Sequence, residues 1–190
     1  MALFWIKRIS VLTFVLFPSL VWGRSYKDFS QSKARIGEGK ILTLYLAYTD
    51  EDRSLGLMRA KSLGQDEGVL FIFEDAEPLN FWMKNTFLPL SIGFFNKDGI
   101  LNEVLDMTPV KSVLQMEIPR YPSKNPARYA LEMNQGWFAR SHVRPGCPLH
   151  LIDINKTIKS LSDLSPALKK SLLKLGEHRK CAPVGASKGN

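Results

Sequence analysis

The chain has 190 residues, with 26 Lys+Arg against 18 Asp+Glu and a formal net charge of +8. That length suits one domain with tails, and a composition that is 45% hydrophobic and 23% charged excludes wholesale disorder. Two Cys are too few for a disulfide-built scaffold or a four-Cys zinc site. Such a charge points to nucleic acid or membrane only if it covers one folded face.

It does not. Residues 1–23 read as a targeting signal: Lys7 and Arg8 precede a short apolar run, and Val21-Trp22-Gly23 fits cleavage before Arg24. The run is shorter than a membrane span needs, and an uncleaved N-terminal anchor is the minority alternative. Residues 24–154 hold 16 basic and 16 acidic side chains, so they carry no net charge. Residues 155–190 hold 8 basic and 2 acidic ones. With the excess in the signal and the tail, a nucleic-acid face on the domain is not expected. Export, to the periplasm or outside the cell, would place Cys147 and Cys181 in an oxidising compartment. Either a disulfide between them or one buried thiol and one exposed thiol satisfies the sequence.

Residues 24–40 are polar and of mixed charge, and read as a linker. Residues 41–49 alternate, with Leu42, Leu44, Leu46 and Tyr48 on one side, as a half-buried strand does. Thr49 followed by Asp50, Glu51 and Asp52 starts a short helix by capping and dipole. Residues 68–73 are a continuous apolar run, expected as a strand buried on both faces. Residues 80–84 form an aromatic strand and residues 90–96 the next. Asn96-Lys-Asp-Gly99 is a hairpin turn, and residues 100–106 pair back. Residues 107–126, with four Pro, are expected as a long loop. Then come a strand over 128–133, a short helix over 135–142 and a last strand over 148–154. Ser165-Pro166 starts a C-terminal amphipathic helix with Leu168, Leu172 and Leu175 on one side and Lys169, Lys170 and Lys174 towards the other. The expected fold is mostly β (α+β): a compact curled or barrel-like sheet of about seven short strands with two short helices, plus that C-terminal helix. The domain boundaries are 41–154, with a basic helical tail over 155–190.

Three stretches carry a resemblance. They are Asp52-Arg53-Ser-Leu-Gly56-Leu57-Met58-Arg59, Gly68-Val-Leu-Phe71-Ile-Phe73 and Phe81-Trp82-Met83-Lys84-Asn85-Thr86-Phe-Leu-Pro89-Leu90. With Tyr129-Ala-Leu-Glu132, Gly136 and Gly146, their order and spacing resemble the DUF192 family (also called UPF0127) over about residues 41–154. The resemblance implies a small, often exported prokaryotic domain with a compact β-rich fold. It implies no catalytic residues, since the family has no established activity. The chain departs from the pattern at Ser91 and Cys147, where the family usually carries Asp.

The aromatic strand is the best candidate site. Alternation puts Trp82 and Lys84 on the face opposite Phe81 and Met83. Trp82 offers a stacking surface, Lys84 a charge, and Asn85 and Thr86 hydrogen bonds. That combination holds glycans and similar polar ligands. The structural alternative places Trp82 in a second core layer, pairs Lys84 with Glu132 and gives Asn85 and Thr86 to a turn. Arg53 and Arg59 could take an anion or pair with Asp52 and Glu51. The three His lack metal-ligand spacing, no cofactor motif occurs, and Cys147 with His142 or His150 only superficially suggests a thiol nucleophile.

The expectation is a non-catalytic binding module for a polar envelope ligand such as glycan, bound at Trp82, Lys84, Asn85, Thr86, Arg53 and Glu132. The alternatives are a hydrolase-like enzyme using Lys84, Asp106 or Glu132 with Arg53, and an adaptor whose basic tail contacts membrane or an acidic partner.

Overall fold

The computed structural model describes residues 23–112, 114–177 and 179–182. The signal reading lies outside these residues except for Gly23, and so do His178 and the chain's last eight residues. A one-turn 3-10 helix (Tyr26–Asp28), closed by a capping box on Ser25, leads into β1 (Ser30–Ile36). Here the linker expectation fails: β1 is an interior strand of the main sheet, with Ser32, Ala34 and Ile36 turned inward. Two of those three inward residues are small or polar, which hides the period-two signal.

β2 (Leu42–Ala47) pairs antiparallel with β1. α1 (Asp50–Leu55) follows, and the Thr49 hydroxyl accepts a hydrogen bond from the Asp52 amide as the sequence predicts. The helix carries the chain across to β3 (Glu67–Glu77), which runs parallel to β2. β4 (Asn80–Trp82), β5 (Leu90–Phe95) and β6 (Leu101–Met107) come next. The Asn96 side chain accepts from the Asp98 and Ile100 amides to close the β5–β6 turn. Within the expected loop, β7 (Arg120–Pro122) pairs antiparallel with β4 as a separate two-stranded ribbon. β8 (Ala127–Asn134), α2 (Trp137–Arg140), β9 (Leu149–Ile152), α3 (Ile154–Ser160) and α4 (Pro166–Lys174) complete the order. The Ser165 hydroxyl caps α4 through the Leu168 amide, with Pro166 in its first turn.

The main sheet has seven strands in the order β6-β5-β8-β3-β2-β1-β9. It curls until its edges touch at one corner, through an Ile100–Pro148 bridge and a Leu149 amide bond to the Gly99 carbonyl, but it does not close. Alternation divides the core. One cluster takes Leu44, Leu70, Ile72 and Leu131 and is covered by Trp137, Phe138, Leu161, Leu168, Leu172 and Leu175 from the helices and the turns beside them. The other takes Tyr45, Val69, Phe71, Ile92, Phe94 and Ala130 and is covered by Leu57, Leu79, Met83 and their neighbours. The tail is therefore part of the core, while Lys156, Lys159, Lys169, Lys170 and Lys174 stay exposed.

Cys147 and Cys181 are bonded, with Cα atoms 4.0 Å apart. Gly37 lets them pack: a Cβ there would stand 2.3 Å from the Cys181 sulfur. Around the bond the Ala182 amide donates to the Gly146 carbonyl and Arg144 donates to the Ala182 carbonyl. The nucleophile reading of Cys147 is thereby replaced. No helix among the described residues is long and apolar enough to cross a membrane.

Candidate ligand-binding cleft

The cleft lies on the second face of the sheet and has a volume of about 420 Å³, within the range of small-molecule sites. Its origin is a register shift. β3 follows β8 as far as the Ile72–Tyr129 pair, then departs and rejoins only at Glu77–Ala127. Phe73 and Glu77, at the two ends of this out-of-register stretch, line the cleft. α1 and its turn form one wall, β4 and the turn after it the other, and Glu132 of β8 reaches the floor.

Phe81 organises the apolar part. Its ring meets Phe71 edge-on at 4.9 Å, Phe94 at 5.8 Å and Phe73 at 6.5 Å, the tilted geometry that aromatic quadrupoles favour. Phe71, Phe73 and Phe81 line the opening. Gly56 caps α1 at φ +45°, and a Cβ there would press 3.0 Å from the Phe71 ring. A glycine is therefore required both for the turn and for the space above the floor.

Arg53 belongs to the wall. Its guanidinium donates to the Tyr48 and Ile72 carbonyls, pairs with Asp50 and lies 5.1 Å over the Phe73 ring. This is the pairing alternative, made with Asp50. Trp82 is 40% exposed, so it fills no second core layer. Lys84 and Arg120 each lie 5.2 Å from its ring centroid, a cation–π arrangement on a solvent-facing ring. Arg120 escaped the sequence reading because β7 is three residues long and has no periodicity. The Lys84 ammonium makes no hydrogen bond or ion pair among the described residues. Thr86 is buried, and its hydroxyl donates to the Lys84 carbonyl at 3.2 Å. Asn85, at φ +53°, is the turn residue: its carbonyl accepts from the Arg59 amide, and it does not line the cleft.

Glu132 is 5% exposed and sits in the strand between Val69 of β3 and Ile92 of β5. Its carboxyl makes no hydrogen bond or ion pair with any described residue, Lys84 included. Loss of water pushes its carboxyl up from the ordinary 4.5 to about 8, because burial penalises the charged form. At neutral pH it carries its proton.

Asp106 does not join this group. It pairs in register with Ser91, which pairs with Met133. That parity puts it on the opposite face from Glu132. There Ser91 donates to Asp106 and accepts from the Gly136 amide, beside a separate groove. The cleft therefore gathers Trp82, Lys84, Thr86, Arg53 and Glu132, without Asn85 or Asp106. It also includes Asp50, Glu77 and three Phe rings that the sequence did not single out.

The family model DUF192, "Uncharacterized ACR", matches residues 32–151. Among solved structures, the chain is similar to a protein of Sinorhizobium meliloti 1021 provisionally labelled a transcription regulator. The two are 31% identical, with a TM-score of 0.59, over 68% of this chain and 97% of that one. It is also similar to a protein of unknown function from Novosphingobium aromaticivorans DSM 12444, at 27% identity and a TM-score of 0.55, over 63% of this chain and 84% of that one. No curated protein matches the chain.

Proposed function

The chain belongs to the DUF192 family, and from that premise we propose that it is an exported binding module whose cleft takes a neutral polar ligand with ring surfaces, an envelope glycan being the leading class. One observation carries the reading: a buried carboxyl without a protein partner lies at the floor of an open, aromatic-walled cleft. That carboxyl has no protein partner and faces the opening, so a ligand's polar group can take the place of water on it. The lining charges also balance, Asp50 and Glu77 against Arg53 and Lys84, with Glu132 neutral. A neutral ligand is matched by such walls. Trp82 adds a ring at the mouth, where a sugar face would take the place of one of the two cations above it.

A hydrolase-like reading needs Lys84 and Arg53 with Asp106 or Glu132, and of these Lys84, Arg53 and Glu132 line the cleft. Asp106 faces away and the Arg53 guanidinium is already engaged, so binding uses the groups as they stand. An adaptor role for the tail is weakened by the burial of Leu168, Leu172 and Leu175 in the core. Export is supported by the charged-then-apolar N-terminal pattern and by the Cys147–Cys181 bond, a linkage that persists in oxidising compartments.

The test is calorimetric titration with chitotetraose and with muropeptide fragments, on the parent chain and on Trp82→Ala and Lys84→Ala. Both side chains are exposed, so the variants fold. Each is expected to weaken binding about tenfold, roughly 1.4 kcal/mol. Equal affinity in all three chains would place the ligand elsewhere.

A further inference from the structure

The geometry points to Glu132 as a proton-bearing hydrogen-bond donor that selects an acceptor-only oxygen, an ether or amide carbonyl, at the floor of the cleft. This rests on the binding reading and deepens it by naming the chemistry of the contact. Three features of the site converge on the assignment. The first is placement: Glu132 is inward on β8, held between Val69 and Ile92, with its Oε2 about 4.0 Å from where a Gly56 Cβ would stand, so the carboxyl points under the α1 turn into open space. The second is vacancy of contact: no described donor or acceptor reaches it.

The third is the charge around it. Of the elements that enclose the cleft, α1 presents Asp50 and Arg53, which neutralise each other. β3 presents Glu77 beyond Phe71 and Phe73, and the turn after β4 presents Lys84. β5 faces it with Ile92, and β8 itself adds Ala130. No cation is paired with Glu132, so burial alone governs its proton. A neutral carboxyl has one O–H to give. An ionised one can only accept, and would repel the lone pairs of the same ligand oxygen. An ammonium ligand is the opposite case, because it would gain from ionisation.

The experiment is a chitotetraose titration of the whole chain at pH 6, 7, 8 and 9 and constant ionic strength, repeated with Glu132→Gln and Glu132→Leu. A carboxyl carbon NMR titration of the unliganded chain accompanies it. Glu132 is expected to lose its proton near pH 8, and the parent chain to bind about tenfold more weakly at pH 9 than at pH 7. Glu132→Gln keeps a donor and should bind with no pH trend, while Glu132→Leu should bind weakly throughout. A midpoint near 4.5, a flat profile for the parent chain, or affinity that rises with pH overturns the inference. Absence of chitotetraose binding at every pH overturns it as well. Muropeptide binding that depends on Trp82 and Lys84 would then show that the cleft reading survives alone.

Discussion

The two faces of the sheet are finished differently. The first is sealed: α2, α3 and α4, with the turns beside them, lay Trp137, Phe138, Leu161, Leu168, Leu172 and Leu175 against it, and a disulfide fastens the chain beyond α4 to the corner where the sheet edges meet. The second is covered by the short helix α1 and the three-residue ribbon β4–β7, and the out-of-register stretch of β3 borders the cleft there. The first face buries its leucines beneath the helices. The second keeps a carboxyl buried without a partner. On the proposed reading the first face supplies stability and the second recognition, and each should be open to perturbation without the other.

The largest effect is expected on the open face. Unfolded, Glu132 ionises near 4.5; folded, it holds its proton to about 8. The folded state therefore binds an extra proton between those values. The stability linked to this group is complete below pH 4.5, falls as pH rises to about 8 and then levels off, a change on the order of 5 kcal/mol. Glu132→Gln should remove that slope, making the variant the more stable chain at pH 9 in urea denaturation. Parallel curves for the two chains would mean that the open face stores no such penalty.

On the sealed face, Cys147→Ser with Cys181→Ser removes a cross-link spanning 34 residues. A loss of about 4 kcal/mol is expected from loop entropy alone. Chitotetraose affinity should stay unchanged in conditions where the variant is folded. A parallel loss of affinity would break the separation of the two faces. The smallest effect belongs to Ser165→Ala, which deletes the cap of α4. Thermal unfolding should show about 1 kcal/mol lost, again without change at the cleft.

Much of this was legible in the residues, for stated reasons. Alternation in 41–49 and the unbroken apolar run 68–73 marked β2 and β3, and hydroxyl caps at Thr49 and Ser165 fixed two helix starts. The split of Phe81 from Trp82 also followed from alternation. What the residues withheld was mostly long-range. β1 was masked by Ser32 and Ala34, and β7 by its brevity. β8 enters between β5 and β3, which alone brings Glu132 beneath a helix some eighty residues earlier in the chain. The face of Asp106 is set by its register against Ser91, which no local pattern reveals before the partner strand is known.

The position of β1 has one more consequence. It is flanked by β2, made soon after it, and by β9, which lies more than a hundred residues further on. As the chain emerges from its N-terminus, one side of β1 must stay unpaired until residues 149–152 arrive. An open strand edge is a template for pairing with another chain, and slow closure of distant pairs prolongs that hazard. The alternation of Ser30, Ser32 and Ala34 with Gln31, Lys33 and Arg35 keeps this waiting edge short of apolar surface and well supplied with charge. The same polarity that made the segment look like a linker protects it while the molecule is half made.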